Sequence, residues 1–160
     1  MAVDMFIKIG SLKGESQDKE YSGWIDVLSW SWGLAQSGSA HMGGGQGAGK
    51  VHVQDFSFTK HIDIVSPKLW GKAATGEHYD KVEFKARKAG GSPFVYLEIT
   101  LEDVIVTSVS TGGSGGEDMN TENVTLNFKV FEIKYNQQDE KGGHKADDKF
   151  KFDISKNSKM

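Results

Sequence analysis

The residues most suggestive of chemistry are Gly44-Gly45-Gln46-Gly47-Ala48-Gly49-Lys50, whose Gly-x4-Gly-Lys spacing matches part of a phosphate-binding loop. Such loops need Ser or Thr after the lysine to hold Mg²⁺, and a helix N-terminus to face the phosphate. Here Val51 follows, and Val51-His52-Val53 begins a strand, so no nucleotide is expected. The five histidines are His41, His52, His61, His78 and His144. His61 and Asp63 can share one strand face, but a pair of ligands is too few for a metal, and a surface pair is the better reading. Serines are abundant, yet none stands in a nucleophile-elbow context. Glu117, Asp118 and Glu122 read as solvated loop charge, because they lack the alternating oxygen spacing of a Ca²⁺ loop. No catalytic residue, cofactor or metal site is expected, and the chain does not read as an enzyme.

Composition narrows the classes further. At 160 residues the chain fits one domain, residues 1–160, large enough to bury a core without metal or disulfides. Nineteen basic residues stand against 22 acidic ones, a net charge of −3. Nucleic acid and anionic membrane are therefore poor partners. With no cysteine there is no disulfide framework and no thiolate site. Residues 1–8 lack the basic start of an export signal, and no stretch approaches the roughly 20 apolar residues of a membrane span. The expectation is a cytoplasmic product without membrane insertion that leaves the cell, if it does, by no ordinary secretory signal.

The elements read mostly as short strands punctuated by glycine. Val3, Met5, Ile7 and Ile9 alternate up to Gly10. In residues 24–33, Trp24, Leu28, Trp30 and Trp32 share one face, and Ser29, Ser31 and Gly33 the other. Residues 36–50 are too long and glycine-rich for a hairpin turn. Val51 and Val53 lie opposite Phe56 and Phe58, which predicts a bulge at Gln54-Asp55. One helix is legible, with Ser66 as N-cap, Pro67 in its first turn and Gly76 as its stop. Val82, Phe84 and Ala86 point inward from the next strand, and Lys81, Glu83, Lys85 and Arg87 outward. Further strands are read at residues 94–101 and 104–109. Val124, Leu126, Phe128 and Val130 share a face before Phe131, Ile133 and Tyr135 take over, implying a second bulge. Phe150, Phe152 and Ile154 form a last strand, after which residues 155–160 should fray. This pattern is a β-barrel or sandwich. Taken alone it gives a β-rich interaction module, with a lectin-like ligand-binding β-sandwich as the rival.

Particular segments carry the reading further. Met5-Phe6-Ile7-Lys8-Ile9-Gly10, Trp30-Ser31-Trp32-Gly33, His41-Met42-Gly43-Gly44-Gly45 and Phe58-Thr59-Lys60 occur in that order. Arg87-Lys88-Ala89-Gly90-Gly91, the run from Ser108 to Asp118, and Thr121-Glu122-Asn123-Val124-Thr125-Leu126-Asn127-Phe128 follow. Together, over about residues 1–135, they resemble the haemolysin-coregulated protein family of the bacterial type VI secretion system. The resemblance implies a mainly β fold: a compact β-barrel of two sheets, one short flanking α-helix and a long extended glycine-rich loop. It implies a homohexameric ring, stacked into an inner tube within a contractile sheath and behind a valine-glycine-repeat spike, carrying small effector proteins in its lumen. The subunit would be made in the bacterial cytoplasm and secreted by the type VI system itself. In that light Ser29 and Ser31 are candidate lumen residues. His41, Met42, Gly43, Gly44, Gly45, Gly47, Gly49 and Lys50 become candidate subunit or ring-stacking contacts. So do Thr111, Gly112, Gly113, Ser114, Gly115, Gly116, Glu117 and Asp118.

Overall fold

Alternating apolar residues along most of the chain demand a sheet with one face covered, and a computed structural model describes residues 2–36, 38 and 50–160 of it. In chain order the elements are β1 (Val3–Ile9), β2 (Ile25–Asp26), β3 (Ser29–Ser31), β4 (Leu34–Ala35), β5 (His52–Val53) and β6 (Phe56–His61). They continue with α1 (Ser66–Thr75), β7 (His78–Lys88), β8 (Phe94–Gly112), β9 (Thr121–Gln138), β10 (His144–Asp153) and β11 (Ser158–Lys159). The main sheet has nine strands in the order β11-β10-β9-β8-β7-β1-β2, with β6 added beside β9 and β3 beside β6. All its pairings are antiparallel. The mainly β class with one short helix is as expected, but the two sheets are halves of a single bent sheet, and among the described residues no ladder closes it into a cylinder.

The bend has a local cause. Tyr79 and Val82, Leu101 and Val104, and Phe128 and Phe131 are all buried although each pair lies three residues apart, where strict alternation would separate them. These residues are also cross-strand partners: Tyr79 faces Val104 and Val104 faces Phe128, while Val82 faces Leu101 and Leu101 faces Phe131. Strands β7, β8 and β9 therefore switch faces at the same level, and their ladders need no slip there. Asp103 sits at that level with φ of 55°, in the left-handed region. The second bulge expected in β9 is thus a shared bend without loss of register. For the same reason β8 is one strand of 19 residues and not two.

The tryptophan segment also departs from simple alternation. Ile25 and Val27 are buried, whereas Leu28 is 43% exposed. The segment changes partners midway: Val27 N–H donates to the Met5 carbonyl at 2.9 Å and Leu28 N–H to the Thr59 carbonyl at 2.8 Å. It spans the gap between the two halves of the sheet, so the alternation restarts at the crossing. Beyond it Trp30 stacks on Phe56 at 5.7 Å, and Trp32 meets Phe131 edge-on at 5.1 Å. Trp24 stays outside this cluster, edge-on to Tyr21.

Gln54 and Asp55 mark a full break between β5 and β6 instead of a bulge, because β5 pairs with β4 in a separate ribbon while β6 pairs with β3 and β9. That ribbon is the base of the long glycine-rich segment, whose residues 39–49 lie outside those described. Helix α1 ends as expected at Gly76, φ 73°, whose N–H reaches the Lys72 carbonyl at 2.8 Å. Its N-cap is Val65, not Ser66. The last residues are held as well: β11 pairs with Phe152 and Asp153, so the expected fraying gives way to a short strand.

Candidate functional site

Alternation on β3 turns the indole of Trp30 inward and leaves Ser29 and Ser31 exposed. The cross-strand register extends their face over four strands. Ser29 faces Thr59 on β6, which faces Asn123 on β9, which faces Ser110 on β8. One pleat along, Ser31 faces Ser57, Ser57 faces Thr125 and Thr125 faces Ser108. The result is a wall of seven hydroxyls and one amide backed by Phe58 and Val124 in the core. Its members interlock: Thr59 Oγ1 donates to Asn123 Oδ1 at 2.7 Å, and Thr125 Oγ1 lies 2.7 Å from both Ser108 Oγ and Thr107 Oγ1. Sequence reasoning found the two serines and missed the other six positions. The signal was present in each strand as a small neutral polar residue at every second place, but only the register joins them.

The loop from β8 to β9 stands out from this wall. Thr111 Oγ1 donates to the Thr121 carbonyl at 2.8 Å, closing the ladder, and residues 111–118 are exposed throughout. Gly113 lies so close to the Asn120 side chain that a Cβ there would strike its amide. Lys50 is exposed and is followed by β5, a strand where a nucleotide loop would need a helix. His41, Met42, Gly43, Gly44, Gly45, Gly47 and Gly49 lie outside the described residues.

Charge is kept off the wall and used beneath it. Lys60, on the inward face of β6, is fully buried, with its Nζ 2.6 Å from Glu122 Oε1 and 2.8 Å from Asp63 Oδ1. Ser66 Oγ donates to Glu122 Oε1 at 2.7 Å and Trp70 Nε1 to Glu122 Oε2 at 3.2 Å. Burial works against the Glu122 carboxylate, but the hydrogen bonds from Lys60 and Ser66 outweigh it and hold its pKa below the usual range. Glu122 is therefore no solvated loop charge, and Asp63 pairs with Lys60 in place of His61. This cluster fastens α1 to the sheet, which explains why Ser66 is spent on Glu122 and does not cap.

A second cluster surrounds Arg87, expected outside but buried at the register shift between Ala86 and Arg87. Its guanidinium meets Asp18 at 2.6 Å and Asp4 at 2.9 Å and lies over the Phe6 ring. The Arg87 hydrogen bond draws the Asp18 carboxyl down to about 2. Among the described residues, no group of three or more His, Asp or Glu is arranged to hold a metal ion, and no helix is long and apolar enough to cross a membrane.

A bent antiparallel sheet with a neutral wall, a buried lysine clamp and a glycine-rich ribbon is a combination that can be compared directly. The family model described as type VI secretion system effector, Hcp, matches residues 6–135. The chain belongs to the Hcp family of type VI secretion system proteins. Protein hcp1 of Pseudomonas aeruginosa is 57% identical over 139 residues, which cover 86% of each chain. The crystal structure of Hcp1 from Salmonella typhimurium superposes with a TM-score of 0.82 at 35% identity over 100% of both chains. That of a type VI secretion system effector from Yersinia pestis does so at 0.74, with 34% identity over 94% of this chain and 99% of that one. The matched span contains the whole wall, the Lys60 cluster, and Arg87 with Asp18 but not Asp4, while β10 and β11 fall beyond it.

Proposed function

We propose that this chain is the tube subunit of a type VI secretion system, a single structural domain that closes into homohexameric rings. The rings stack within a contractile sheath and behind a valine-glycine-repeat spike. Each carries or stabilises small effector proteins in its lumen, and the tube leaves the cytoplasm with them. Its work is mechanical and chaperone-like, not catalytic. The observation that carries this reading is the wall: eight small neutral polar side chains across four strands, exposed or half-buried, and backed by core. A surface of this kind hydrogen-bonds to a guest without offering it an adhesive apolar patch. On this reading Ser29 and Ser31 face the lumen. The glycine-rich segment with Lys50, and the loop 111–118, supply subunit and ring-stacking contacts.

Size-exclusion chromatography with light scattering tests it. The expected particle is a sixfold multiple of the 17.5 kDa chain, falling apart on dilution because closure depends on concentration. A protein that stays monomeric at high concentration overturns the ring.

A further inference from the structure

Beside the eight neutral side chains of the wall stands one carboxylate whose role their hydrogen bonding does not explain. Asp55 lies in the break between β5 and β6. Its Oδ2 accepts the Thr107 hydroxyl at 2.8 Å and its Oδ1 the Asn127 amide at 2.9 Å. Thr107 is in turn hydrogen-bonded to Thr125, so the carboxylate is oriented by the same network that ties the wall together. Both donors are neutral. The half-buried Asp18 and Asp63 each meet a cation within 2.8 Å, whereas no cation lies within ion-pair distance of Asp55 among the described residues. A carboxylate has room for about four hydrogen bonds, and here one is made at each oxygen. The group is thus held in place, partly desolvated, and left with unused acceptor capacity.

We propose that Asp55 is a docking point for a lysine or arginine side chain of the carried protein, and that it biases the wall toward basic cargo. This rests on the reading of the wall as the lumen face. In a closed ring the carboxylates recur at one height around the channel, so a guest with several cations engages several subunits at once, and weak single contacts add as avidity. The surrounding hydroxyls serve any guest, and Asp55 selects among them by charge.

The test uses a fluorescent alternating glycine-lysine peptide and a glycine-serine peptide of equal length, titrated by anisotropy with the full chain, wild type and variants. Light scattering on the same samples reports assembly. Wild type is expected to prefer the lysine peptide, and Asp55→Asn to lose roughly three- to fivefold per contacted carboxylate, leaving the serine peptide unaffected. About 0.5 M salt should erase the preference in wild type by screening. Asp80→Asn, which removes an exposed carboxylate on β7, should bind as wild type does. Asparagine is isosteric and can still accept from Thr107, and Asp55→Ser provides a second neutral variant with a smaller side chain. Absence of any lysine preference in wild type, an equal loss in Asp80→Asn, or unchanged lysine binding by both Asp55 variants in an intact ring overturns this proposal alone. A wild type that forms no ring removes the lumen reading and this proposal together.

Discussion

At the scale of single residues, aromatic packing and charge pairing divide the labour of holding the sheet together. Trp30 contacts Phe56 and Phe84 directly behind Ser29 and Ser31. Trp30→Ala empties that space, and a loss of about 3 kcal/mol is expected, the low end for tryptophan because the indole is only half-buried. Denaturant melts should show a lower midpoint at unchanged slope. Ser31→Gln should keep the melt within about 0.5 kcal/mol of wild type, since the side chain projects into solvent. If Ser31 faces a lumen as proposed, its effect should appear instead as altered co-purification of an effector protein. Asp18 gives a separate pH prediction. Its pKa is lowered in the folded protein from the ordinary 3.8 to about 2. Its contribution is therefore complete above the higher value and is lost as pH falls through the lower one. Asp18→Asn should flatten the acid limb of stability in that window, and acid titration followed by circular dichroism measures it.

At the scale of elements, α1 is too short to stand alone and depends on what it touches. Leu69 anchors it in the core, and Ser66 and Trp70 tie it to Glu122. Glu122→Gln leaves the buried Lys60 with Asp63 as its remaining anion, and a loss of about 3 kcal/mol is expected because a half-broken buried pair is costly. Hydrogen exchange should rise in α1 and β6 before the rest of the sheet. The reverse order would mean that the helix is held chiefly by Leu69. These elements also show what a sequence can disclose. Val82, Phe84 and Ala86 were readable because alternation is a local property of one strand, and Gly76 because a left-handed stop is one too. Lys60 and Glu122 were not, since each is an ordinary charge until a partner 62 positions away in the chain is placed 2.6 Å from it. Arg87 was misread for the same reason, its partners lying on β1 and the following loop. Of the wall's eight positions only the outward face of Ser29 and Ser31 was legible, from alternation on one strand. The remainder existed only in the pairing of strands distant in sequence.

At the scale of the whole molecule, the shared bend of β7, β8 and β9 limits how the chain can change length. Each strand switches face at one level, with Val104 between Tyr79 and Phe128, and Leu101 between Val82 and Phe131. Removing one residue from any of the three turns every side chain on one arm of that strand to the wrong face, while its neighbours stay as they were. A deletion of Glu102 should therefore abolish soluble folding, whereas loss of Lys141, in the turn between β9 and β10, should be tolerated, as expression and melting of both variants would show. Changes of length are thus expected to be excluded from the middle of this sheet and accepted at its hairpin tips, the loop after Gly112 and the turn after Gln138 among them. The reach of those tips can change while the angle between the two halves of the sheet, and with it the curvature of the wall, stays fixed.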